Sequence, residues 1–139
     1  MMKCWNVLRC KIADLLILTI SATTVIAFLR LGGVAVLFLG LSMCGIFTGA
    51  ATSELAEART RSAVWCLATA VAIIVSWFVL ETFRAINIEK VTGQPVFEDG
   101  LFVEVFIAFP GLILIYGSLA MAFGFFAGWL GFKLREQSS

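Results

Sequence analysis

Four stretches of this sequence, residues 12–29, 34–51, 62–80 and 110–132, each run for eighteen residues or more with no charged side chain at the centre. A helix of about 20 such residues matches the ~30 Å hydrocarbon core of a bilayer. A water-soluble chain of 139 residues has too much surface for its volume to hide that much apolar area. Charged residues make up only 14% of the chain, against ~25% in soluble proteins, and the mean hydropathy is +1.03. The fold class expected is an all-α membrane protein, a bundle of four transmembrane helices forming a single integral membrane domain over 1–139.

The first run follows Lys3, Arg9 and Lys11 and so has the outline of a signal peptide. A signal peptide needs a small-residue cleavage site followed by a polar mature chain. Here Ser21-Ala22-Thr23-Thr24 leads into more apolar sequence and then a second run, which predicts a retained helix. Arg30-Leu31-Gly32-Gly33 is too short to be anything but a tight turn, and glycine ends helices because positive φ costs it little. Spans one and two are therefore antiparallel neighbours.

Residues 53–61 are mostly good helix formers, with Glu57 and Arg61 at i,i+4, so helix two is expected to continue past the membrane surface before turning. Residues 81–100 read as a polar extracytoplasmic loop, with Thr92-Gly93-Gln94-Pro95 as its turn signal. From 101 to 132 one helix would be ~48 Å long, too long for the bilayer. Pro110-Gly111 offers a break, because proline suits the first turn of a helix. The fourth span is placed at 110–132, with 101–109 as a short interfacial or re-entrant piece. One long kinked and tilted helix is the physical alternative.

Orientation follows from the basic residues. With the N-terminal segment 1–11 and the tail 133–139 in the cytoplasm, Lys3, Arg9, Lys11, Arg59, Arg61, Lys133 and Arg135 face inward, and Arg30, Arg84 and Lys90 outward: seven against three. The expected location is the plasma membrane, as in a bacterial inner membrane. Trp5, Trp65, Trp77 and Trp129 lie near span ends, as interfacial belts require.

In lipid, helices associate through close packing and polar contacts, and small residues let backbones approach. Span two carries Gly45 and Gly49 in a G-x-x-x-G, with Ser42 one turn earlier. Span three carries Ala68, Ala72 and Ser76. Span four carries Gly117, Gly124, Gly128 and Gly131 on one stripe. These stripes either pack the bundle internally or, on span four, face a second copy or another membrane protein.

An ionisable residue inside a span is costly, so its position is informative. Asp14 reads as a first-turn anion of span one, next to Lys11. Glu81 and Arg84 form an i,i+3 surface pair. Glu104 stands between Leu101-Phe102-Val103 and Val105-Phe106-Ile107. It points to water if 101–109 lies flat, and becomes a partly buried carboxylate if the segment dips inward.

No histidine is present, which removes the commonest general base and metal ligand near neutral pH. No two of Cys4, Cys10, Cys44 and Cys66 have C-x-x-C spacing. Cys4 and Cys10 stand where membrane-proximal acylation occurs. Glu98 and Asp99 are adjacent but need not converge on one ion. No nucleophile motif, Walker loop or zinc signature occurs. Neither a cofactor nor a metal is expected, and the net charge of +1 argues against a nucleic-acid partner. The sequence thus favours a non-enzymatic structural or accessory component of a membrane assembly, or a homo-oligomer, with the lipid bilayer as its first partner. The alternative is a small transporter, channel or lipid-handling protein using Glu104 with Arg84 or Arg30.

Overall fold

The computed structural model describes the backbone of residues 2–95 and 101–139, and the side chains of 12–95 and 107–139. Among these the chain is helical throughout: α1 (Met2–Leu31), α2 (Val34–Ala51), α3 (Leu55–Thr92) and α4 (Leu101–Ser138). All four helices are long and apolar enough to cross a membrane, which suggests an integral membrane protein.

The α1–α2 turn depends on its glycines. Gly32 takes φ 58° and Gly33 φ 117°, and the Gly32 N–H closes α1 by donating to the Phe28 carbonyl at 2.9 Å. A Cβ is strained in that region, so only glycine turns the chain this sharply without cost. α3 ends in the same way on Gly93 at φ 68°.

Helix two does not continue past residue 51. It stops at Ala51, and Thr52-Ser53-Glu54 makes the turn. Residues 55–61 therefore open α3, where Glu57 is an acidic side chain in the first turn of the helix. α3 also continues where a polar loop was expected, so residues 81–92 are helix.

Residues 101–109 are not a separate interfacial piece. They are the first turns of one continuous α4, with Pro110 inside it. The proline removes one rung of the backbone ladder. α3 extends alongside the helix there, and the Phe78 and Phe109 rings meet at a tilt of 45° with centroids 4.8 Å apart. α4 likewise runs on through the expected tail to Ser138.

Interhelical contacts set the register. Ser62 Oγ donates to the Gly45 carbonyl at 3.0 Å and Cys66 Sγ to that of Leu41 at 3.5 Å, so α2 and α3 run antiparallel. Ser21 and Thr69 meet at 2.7 Å and Asp14 and Arg61 at 3.0 Å, so α1 runs parallel to α3. α4 lies against α2 and α3, and α1 against the same two helices. Among the described residues α1 and α4 do not touch.

The helices differ in length. α2 has 18 residues, ~27 Å at 1.5 Å per residue. α3 and α4 have 38 each, ~57 Å. By the Ser21–Thr69 register, Leu31 lies level with Val79, and α3 continues thirteen residues further, ~20 Å. α3 and α4 thus form a two-helix overhang beyond the α1–α2 turn.

The core consists of small side chains. Leu41, Cys44, Cys66, Ala70 and Ala120 form its apolar centre. The largest fully buried side chains are Thr48, Thr52, Thr69, Cys44, Cys66 and Ser62. Large apolar groups such as Phe38, Phe47, Leu114 and Phe126 point outward. Water would penalise such a surface, while hydrocarbon solvates it.

Candidate functional site

The glycines named from the sequence lie at helix crossings. A Cβ on Gly49 would collide with the Gly128 backbone, one on Gly45 with Ala127, and one on Gly131 with the Ile46 backbone. On the α3 side, a Cβ on Gly124 would come within 2.6 Å of the Ser62 carbonyl, and one on Gly128 within 2.8 Å of that of Ala58. At Gly117 it would meet Leu67 Cδ1 at 2.9 Å. The span-four stripe is therefore spent inside the chain, and its glycines face α2 and α3.

The expected small face of span three is not the packing face. Ala68 and Ala72 are exposed and Ser76 is half-buried. The buried face is Ala58, Ser62, Ala63, Cys66, Thr69, Ala70 and Ile73. On this side Ser62 and Cys66 donate across the crossing to α2, and the Thr69 hydroxyl meets Ser21 of α1. Alanine methyls cannot make such bonds, and on the other side they line the outside.

The interior hydroxyls are bonded. Thr69 Oγ1 donates to the Trp65 carbonyl at 2.8 Å. Its one proton is then spent, so in the 2.7 Å contact Ser21 donates to Thr69. Thr24, Thr48 and Thr52 donate to carbonyls four residues back, at 2.6–2.7 Å. Thr19, Thr23, Ser42 and Ser118, nearer the surface, do the same. A shallow groove of about 330 Å³ lies between α1 and α2. The hydroxyls of Thr19, Thr23 and Thr24 line it but are bonded within α1, so its wall is effectively apolar.

The charges gather at the two ends. At the end formed by the 52–54 turn and the C-terminus of α4, Arg61 holds Asp14 at 3.0 Å and reaches Glu57 at 3.6 Å. Asp14 is not a first-turn residue, because α1 begins at Met2, and it is anchored from α3 instead. Lys133 pairs with Glu136 at 2.7 Å. Arg135 donates to the Thr52 carbonyl at 2.8 Å, capping the C-terminus of α2 with a cation. Arg59 lies over the Phe125 ring, 5.1 Å from its centroid.

At the overhang end, Arg84 is held by Glu81 at 3.0 Å on its own helix. Arg30 is exposed in the last turn of α1. Among the described residues no contact joins the two. Glu104 stands in the first turn of α4, and its side chain lies outside the described residues, as do those of Cys4, Cys10, Glu98 and Asp99. The overhang exposes Phe83, Ile88, Val91 and Ile107, with Val91 at 86% and Ile107 at 72% of full exposure.

The inward glycines were legible as a stripe, though their direction was not. The Asp14–Arg61 pair joins residues 47 positions apart, which no i,i+4 pattern marks. The chain matches the pattern of no known protein family, and no curated protein or solved structure is similar to it.

Proposed function

We propose that the chain spans the plasma membrane four times with both termini in the cytoplasm, and serves as a non-enzymatic accessory or structural component of a larger membrane assembly or a homo-oligomer. The excess of basic residues at the 52–54 end supports the orientation. The observation that carries the assembly reading is the overhang. Phe83, Ile88 and Val91 are exposed on turns of α3 beyond the Gly32–Gly33 turn and Ile107 at its level, above the reach of a bilayer that matches the length of α2. Apolar groups left in water at that height are stabilised by a neighbouring protein surface. The glycines offer no such surface, because they are occupied within the chain.

The test is to isolate the tagged chain from its native membrane in mild detergent and measure the mass of the particle by light scattering. The expected particle exceeds one chain, as an oligomer or with a stoichiometric partner. Phe83→Ser with Val91→Ser is expected to reduce it to the single chain without loss of helicity. A single chain from the wild type, or a complex indifferent to both substitutions, overturns the reading.

A further inference from the structure

We infer that Arg59, lying over Phe125 within one helical turn of Trp129, binds the phosphate of an anionic phospholipid in the leaflet that meets the 52–54 end. The inference rests on the membrane-spanning reading and is independent of the assembly reading.

Among the described residues, the other basic side chains at this end are already engaged. Arg61 is neutralised by Asp14 and Glu57, Lys133 by Glu136, and Arg135 is spent on the Thr52 and Ala50 carbonyls. Arg59 has no carboxylate within ion-pair distance among the described residues. Glu54, the N-cap of α3, is five residues away and forms no ion pair. The Arg59 guanidinium is held in place by the Phe125 ring, and its Nε is buried there without a hydrogen-bond acceptor. With Nε closed off, a phosphate can reach only the terminal amino groups of this fixed cation, and these can give two parallel hydrogen bonds to one acid.

The location selects the kind of phosphate. Ala58 packs against Gly128 and α3 and α4 run antiparallel, so Arg59 stands level with Ala127, within one helical turn of Trp129, and tryptophans collect at the membrane–water boundary. Phe125 and Phe126 beside it are 47% and 63% exposed, and the Phe126 and Trp129 rings meet at 5.6 Å. A ligand that reaches Arg59 from this side must carry its acid at the boundary and an apolar tail alongside the two phenylalanines. A phospholipid has that shape, and basic side chains between helices at the cytoplasmic boundary attract anionic headgroups.

The experiment uses the full chain in vesicles of 30% phosphatidylglycerol in phosphatidylcholine, extracted in mild detergent, with retained lipid counted by native mass spectrometry. The wild type is expected to retain phosphatidylglycerol about fivefold over its share of the vesicle. Arg59→Gln is expected to return to the vesicle ratio, Arg59→Lys to retain part of the preference, and Arg135→Gln to retain all of it. Inorganic phosphate at millimolar concentration is expected to leave the retained lipid in place. A wild type with no preference, or an Arg59→Gln chain with the full preference, overturns the inference. Displacement by inorganic phosphate overturns the lipid assignment in favour of a free-anion site. If Arg59→Gln does not fold, Arg59→Lys and the phosphate competition decide. Resistance to alkaline carbonate extraction checks the membrane reading separately in every variant.

Discussion

Asp14 on α1 and Arg61 on α3 form an ion pair at 3.0 Å, joining the first helix to the third at the end where α2 turns into α3. Arg61 also faces Glu57 one turn earlier on its own helix, so one guanidinium serves two carboxylates. Both partners of the interhelical pair remain more than a third exposed, which screens the attraction. The coupling between Asp14→Asn and Arg61→Gln, measured as a double-mutant cycle on thermal unfolding in detergent, is expected to be ~1 kcal/mol or less. A coupling several times larger would mean that lipid or protein covers the pair in the membrane.

Glycines on α4 separate into two classes. Gly128 abuts Ala58, Ser62 and Gly49, whereas Gly111 has nothing within 4 Å of where a Cβ would stand. Gly128→Ala is expected to destabilise the chain by ~1–3 kcal/mol through overpacking. Gly111→Ala is expected to be neutral or to stabilise it by up to ~1 kcal/mol, because alanine is the better helix former. Denaturation in mixed detergent micelles distinguishes them. Equal effects would place the α4 stripe away from α3.

Cys44 and Cys66 are both fully buried. With Cys4 and Cys10 replaced by serine, the folded chain is expected to resist a maleimide reagent and to take up two labels once denatured. Rapid labelling of either thiol in the native chain would mean that α2 and α3 open readily at their crossing.

Reporter fusions after Glu57 and after Gln94 are expected to lie on opposite sides of the membrane, because α3 separates them. The same side for both would remove one span from the bundle.

The parts legible in the sequence were those set by local chemistry. The apolar runs, the Gly32–Gly33 turn and the Gly93 stop each depend on residues next to one another. The extent of the helices was not legible. The break expected at Pro110 came from a local rule, while beside it Phe109 packs against Phe78, 31 residues earlier in the chain. The packing face of α3 was misassigned for a similar reason. Ala68, Ala72 and Ser76 form a valid small-residue stripe, but so do Ser62, Cys66 and Thr69. What separates them is that Gly45, Leu41 and Ser21 supply bonding partners for the second set, and those lie on other helices. The direction of the span-four glycines depended on the same missing neighbours. That Arg59 has no ion-pair partner among the described residues is visible only once Arg61, Lys133 and Arg135 have been matched to theirs.

The shortest helix has a further consequence. α2 is closed at one end by glycines that no other residue replaces without strain, and at the other by the Arg135 clamp on Thr52. It cannot lengthen, and its register against α3 and α4 is locked by backbone contacts at Gly45 and Gly49. While α3 and α4 have 38 residues each, α2 is a short ruler of ~27 Å. A bilayer thicker than that must thin around it, at a cost that grows with each ångström of mismatch. In the membrane-spanning reading, that cost favours patches of membrane near this thickness.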